Sequence, residues 1–259
     1  MSNPTQEDHF TFGDLALTLK NTMGPESHSP ETALFVLQAA RTIARGIPVA
    51  VGAMAESLPL EEGAIRTAVA HLEASNQIGY DDQGHLVAIA GLSLSPTNHS
   101  FEVEGVQLYT WCAIDALFFP SLLDREARVE STSPISKNTI RLIVTPRDGV
   151  RVSQPSTAAV SLVVPALTGG SEDGKREEIV ISEGNCDSLE ISATCCEADR
   201  FGANGSFCSR VHYFESLNEA ESWLAGSSDV IALSVSDAYR LAREVWVEPL
   251  LVQASRFDV

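Results

Sequence analysis

The sequence predicts an α+β protein in which a helical, winged-helix-like N-terminal domain (residues 1–90) packs on an α+β catalytic body (residues 91–259). Three observations carry that prediction. Residues 31–74 contain three runs with apolar side chains at helical spacing. Residues 76–91 read as two short strands around an Asp82-Gln83-Gly84 turn. From Leu92 onward the texture changes to strand-like segments closed by Gly or Pro.

Taken in order, the chain opens with a loose stretch containing Pro4, Gly24, Pro25 and Pro30, where no element is expected. Helices are predicted over Glu31–Arg45, ended by Gly46, then over Val49–Ser57 and Glu61–Ala74. After the hairpin come strands in residues 92–96, 99–105, 141–146, 149–155 and 158–165. An apolar helix, Leu108–Phe119, lies between the second and third of these and is expected to stop at Pro120. The last third offers a strand over residues 207–214, a helix from near Asn218 whose Glu219 and Glu221 suit its dipole, and a final helix over Ser236–Val245. Residues 168–205, with nine acidic and three basic side chains, read as an acidic surface insertion, with a short hairpin around residues 177–182 and 188–193.

Composition narrows the function. With 259 residues, 44% hydrophobic and 20% charged, a sizeable core is available. A polar, acidic N-terminus and the lack of any run of 18 apolar residues lead to the expectation of a soluble cytoplasmic protein. The net charge of -18 tells against nucleic acid and anionic membranes as partners. A winged helix would read DNA through the helix at Glu61–Ala74. Residues 1–90 hold eleven Asp and Glu against four Lys and Arg, a net of -7, and Arg66 sits among Glu61, Glu62 and Glu73. Packing is therefore the better reading of that helix.

Five cysteines, Cys112, Cys186, Cys195, Cys196 and Cys208, have neither disulfide-framework nor CxxC spacing and are expected as reduced thiols. In LYTWCAIDALFFP, Cys112 and Asp115 are three residues apart, which puts both on one helical face. A carboxylate in such apolar surroundings should have a raised pKa and a proton to donate. Taken alone, the same pair reads as a buried small hydrophobe beside a capping Asp. In FCSRVHYF, strand alternation would put Cys208 and His212 on one face, separated by two steps of about 7 Å each, too far for a direct thiol–imidazole hydrogen bond. His212 is accordingly read as structural. Cys186, Cys195 and Cys196 read as loop thiols within the insertion.

The run SLSPTNHSFEVEGVQLYTWCAIDALFFPSLLDREARVES, with RLIVTP, AAVSLVVP and SFCSRVHYFESLNEAESWL after it in that order, resembles the alkylmercury lyase (organomercurial lyase) family. The likeness covers roughly residues 30–167 and 206–245. It implies a winged-helix-like domain on a distinctive α+β catalytic domain. It also implies catalytic roles for Cys112, Asp115 and Cys208, with Cys112 and Cys208 holding the metal. Ser133 stands where many members keep a further cysteine, Ser209 where some have another, and the 168–205 insertion is a larger departure.

Soft Hg(II) prefers thiolate ligands, so two cysteines and one proton-carrying carboxylate are what carbon–mercury protonolysis needs. The resemblance implies an organomercury substrate, no organic cofactor, external low-molecular-weight thiols that remove Hg(II), and a flavin-dependent mercuric reductase as downstream partner. The alternative is a mercury-binding or mercury-sensing protein of the same fold without turnover, and Asp115 tells against it because a trap needs no proton donor.

Overall fold

A computed structural model describes residues 11–24, 28–164 and 207–257. The 168–205 segment, with Cys186, Cys195 and Cys196, lies outside the described residues.

Helices α1 (Phe12–Met23), α2 (Pro30–Ile43), α3 (Val51–Ser57) and α4 (Glu62–Ala74) come first. The last three match the sequence prediction, with Ser29 capping α2 and Pro30 opening it. Helix α1 was not expected. It starts on a capping box in which Thr11 and Asp14 satisfy each other's backbone N–H, and it buries Leu15, Ala16 and Leu19.

Strands β1 (Ile78–Tyr80) and β2 (Leu86–Ile89) form the expected hairpin. They do not stand apart as a wing. An eight-stranded, wholly antiparallel sheet runs β1-β2-β3-β5-β4-β6-β7-β8, and β2 pairs directly with β3 (Leu92–Ser93) across residue 90. The remaining strands are β4 (His99–Val103), β5 (Val106–Thr110), β6 (Ala127–Thr132), β7 (Thr139–Thr145) and β8 (Gly149–Gln154). A second sheet has the order β10-β9-β11, from β9 (Ala159–Val163), β10 (Tyr213–Phe214) and β11 (Val230–Ser234). Strands β5, β6 and β11 went unpredicted.

Helix α5 (Ala113–Leu123) is the centre of the core. Every residue but Ser121 is buried, as expected of a helix that is apolar all round. Two corrections apply here. Residues 106–110 are strand, so the helix begins at Ala113 and not at Leu108. Pro120 also does not end it. Burial of Leu122 and Leu123 outweighs the one backbone bond that proline removes, and Asp124, in the left-handed conformation (φ 53°), closes the helix.

After α6 (Leu217–Leu224), helix α7 (Val235–Ala242) widens into a π turn, Arg243–Val247, and resumes as α8 (Glu248–Ala254). This composite helix packs on α1, α2 and α5. The Lys20–Glu244 ion pair (3.0 Å) ties α1 to the π turn. Among the described residues, no helix is long and apolar enough to cross a membrane.

Candidate active site

The junction between β5 and α5 is built around Cys112, the N-cap of α5 in extended conformation. Its thiol accepts the backbone N–H of Asp115, and its own N–H donates to Asp115 Oδ2 at 2.9 Å. Asp115 is the third residue of the helix, so the two side chains meet through a reciprocal cap and not as neighbours on one helical face. The helix N-terminus also favours negative charge at both groups.

Gly91 fixes the other side of the carboxyl group. The turn from β2 to β3 runs through Ala90 (φ 49°) and Gly91 (φ 103°), and Gly91 O accepts the N–H of Trp111 at 2.8 Å. A Cβ at position 91 would stand 2.4 Å from Asp115 Cγ, so glycine alone leaves room for the carboxyl group. Nothing in the local sequence around Gly91 announced this contact.

Cys208 arrives from a segment expected to be strand and found not to be. Residues 207–208 are helical, 209–210 turn, and only Tyr213–Phe214 pair with β9. Ser161 explains the difference. Its N–H still donates to His212 O (3.1 Å), but its hydroxyl accepts the N–H of His212 (2.9 Å) and donates to Arg210 O (2.8 Å), so a side chain replaces the second bond of that rung and ends the ladder.

The turn is held further by the paired hydrogen bonds of Arg210 to Asp229, both 2.7 Å, and by the His212 ring, whose Nε2 lies 2.7 Å from Ser209 O. His212 also stacks near His99 and meets Trp223 edge-on. It serves the turn and forms no dyad with Cys208. Two bonds then join the turn to α5: Ala113 N–H donates to Val211 O (3.2 Å), and Tyr213 OH donates to Ala113 O (2.8 Å).

The result is one cluster. The sulfurs of Cys112 and Cys208 and a carboxylate oxygen of Asp115 all lie within 4.8 Å of one another. Cys112 and Asp115 are buried and Cys208 is half-buried. Burial pushes the Asp115 carboxyl up to about 7, opposed by its bonds to Cys112. Burial also drives the Cys112 thiol well above its ordinary value, helped by its hydrogen bond with Cys208 and the nearby Asp115.

Beside the cluster lies a cavity of about 130 Å³ into which Asp115 and Cys208 face, walled mainly by aromatic and aliphatic side chains. Cys112 does not line it. Ser133 is fully buried elsewhere, donating to Glu219 Oε1 (2.9 Å) and accepting the N–H of Ile135 and Ser136, so it pins the β6–β7 loop to α6.

Residues 92–175 match the family described as alkylmercury lyase. A protein of Streptomyces lividans named alkylmercury lyase is 32% identical over 201 residues, 78% of this chain and 76% of that one. This chain belongs to the alkylmercury lyase family. Namesakes from Bacillus cereus (36% identical, 66% of this chain and 63% of that one) and Pseudomonas putida (29%, 86% and 88%) agree. The crystal structure of the mercury-bound form of MerB2 superposes with a TM-score of 0.63 at 17% identity, over 92% of this chain and 99% of that one, a likeness of fold. This chain and that structure thus share the α+β arrangement described above.

Proposed function

We propose that this protein is a cytoplasmic organomercurial lyase that cleaves carbon–mercury bonds by protonolysis, with Cys112, Cys208 and Asp115 as its catalytic residues. The observation that supports this most is the convergence of two sulfurs and one carboxylate within 4.8 Å beside an apolar cavity. Cys208 faces the cavity and Cys112 lies behind it, which sets an order for the two thiols.

In the first step Cys208 sulfur bonds to mercury, and the substrate's original thiolate ligand leaves with the Cys208 proton. Cys112 then adds its sulfur to the same mercury, and its proton passes to the Asp115 carboxylate. Burial disfavours a free Cys112 thiolate, and bonding to a cationic metal offsets that cost because a coordinated thiol is deprotonated. With two sulfurs donating to mercury the carbon–mercury bond weakens. Its electron pair takes the proton from Asp115, releasing the hydrocarbon and leaving Hg(II) on Cys112 and Cys208. Two external thiols carry the ion away and return the two protons to the cysteines, which makes a mercuric reductase the fitting recipient.

Mercury sensing without turnover would need the two thiols but gains nothing from a buried carboxyl group poised near neutrality. The test is to incubate reduced protein with phenylmercury and excess thiol and measure benzene. Cys112→Ser and Cys208→Ser are each expected to abolish release. Asp115→Asn should bind mercury yet release benzene about 10²–10⁴-fold more slowly, the usual worth of a positioned acid or base. Near-parent release by either serine variant would falsify the two-thiolate reading.

A further inference from the structure

The cavity beside the cluster has a composition that the catalytic residues do not require. Its apolar wall includes Trp111, Ile114, Phe118, Leu122, Trp246 and Leu250, its polar lining includes His28 and Gln77, and its reactive end is Asp115 with Cys208. Trp246 and Phe118 lie nearly parallel with ring centroids 6.3 Å apart, one from the C-terminal helix and one from α5. Trp246, in the π turn, and Leu250, in α8, both line the cavity.

The π turn supplies the placement of Trp246. Pro249 has no N–H to give to Val245 O, and its ring would press on that carbonyl in a regular α-helix. The preceding turn widens instead, with Glu248 N–H reaching back five residues to Arg243 O. Val245 and Val247, on either side of Trp246, are both buried, so the widened turn is anchored from two sides.

We infer that this aromatic-walled cavity receives the organic group of the substrate and makes the enzyme an aryl-preferring lyase, with Trp246 as a specificity residue. The inference rests on the lyase reading given above. Size supports it: an apolar cavity of about 150 Å³ accommodates benzene, and this one is about 130 Å³. A methyl group leaves most of that volume unfilled, so the wall contributes little to its transition state. A phenyl group is large enough to touch Trp246 and Phe118 together, and dispersion contacts from a remote group are what lower a barrier when the group must be held while its bond to mercury breaks. Asp115 and Cys208 both line this cavity, so a ring held in it lies beside the groups that would act on its bond to mercury.

The test is the ratio of kcat/KM for phenylmercury to that for methylmercury, both with excess thiol. The parent protein is expected to favour phenylmercury. Trp246→Ala should lower the ratio by about tenfold or more, and Trp246→Phe should restore most of it. Leu250→Phe, which fills the cavity, should lower the ratio by excluding the ring. A purely structural role for Trp246 would reduce both substrates in proportion and leave the ratio where it was, as would a cavity that never holds the organic group. An unchanged ratio in both Trp246→Ala and Leu250→Phe therefore overturns the inference while leaving the lyase reading intact. Failure of the parent protein to cleave either compound sinks the lyase reading, and the inference with it.

Discussion

At the scale of single residues, Asp115 carries the most physical content, because burial and catalysis pull on the same proton. Its carboxyl group is raised to about 7 by burial, against about 3.9 in an unfolded chain. The folded protein therefore holds this proton more tightly than the unfolded one. The resulting stability is fully present below about pH 4 and is lost as pH rises through about 7. Asp115→Asn cannot ionise, and its amide oxygen can still accept the Cys112 N–H. Its Tm relative to the parent is expected to climb from pH 5 to pH 8. A constant difference in Tm would mean that the carboxyl is not held protonated by the fold. For activity the sign is opposite. The free enzyme needs Asp115 ionised to accept the Cys112 proton, so kcat/KM should rise through about pH 7. The raised carboxyl was legible in the apolar surroundings of Asp115, but the Cys112–Asp115 pair taken alone reads better as a buried small hydrophobe next to a cap. The family resemblance separated the two readings. Gly91, which makes the room for the carboxyl group, was invisible because its partner lies 24 residues away along the chain.

Among elements, the turn from Phe207 to His212 shows why local pattern failed where it did. Alternating apolar residues in FCSRVHYF describe a strand, but strand requires a partner ladder, and at Ser161 only half a rung remains: its N–H donates to His212 O, while its hydroxyl takes His212 N–H and binds Arg210 O. A hydroxyl on a strand 46 residues earlier leaves no trace in the segment it reshapes. The start of α5 was obscured differently: Cys is an uncommon N-cap, so a largely apolar run from Leu108 gave no clear signal of where strand became helix. By contrast α1 was announced by its Thr11–Asp14 box, and β6 by the strict alternation of ARVEST, whose Ala127, Val129 and Ser131 are buried. Neither element was expected, although both signals stand in the sequence. The role of Ser161 can be tested directly. Ser161→Ala should cost about 1–3 kcal/mol of stability by leaving the His212 N–H without its partner. If the turn positions Cys208, which meets mercury first, both mercury capture and single-turnover benzene release per folded molecule should also slow. Reduced stability with unchanged release would make Ser161 a packing residue only.

At the scale of the whole molecule, packing among the described residues is continuous across residue 90, the boundary that composition and texture suggest between two parts. The sheet crosses that point through the β2–β3 pairing, and one apolar core runs from Leu15 to Ala254. Helix α2 is buried among both halves and packs on α8, at the opposite end of the described chain. Leu34, Phe35, Val36, Leu37 and Ile43 of α2 are all buried. Each is worth about 1.5–3 kcal/mol when removed from water, and a domain's net stability is only about 5–15 kcal/mol. Losing α2 alone therefore exceeds what the remainder can spare. A chain starting at residue 91 is expected to be unfolded or aggregated, with no benzene release. In the full chain the two halves should melt together, and the sequence supplies a way to see it. All three tryptophans, Trp111, Trp223 and Trp246, follow residue 90, so their fluorescence reports the second half, while far-UV ellipticity also carries α1 to α4. Thermal or urea unfolding followed by both signals should give coincident transitions. Ellipticity that falls at distinctly lower temperature or denaturant than tryptophan fluorescence would show the N-terminal helices unfolding on their own, and the site would then stand without the helices that close its cavity.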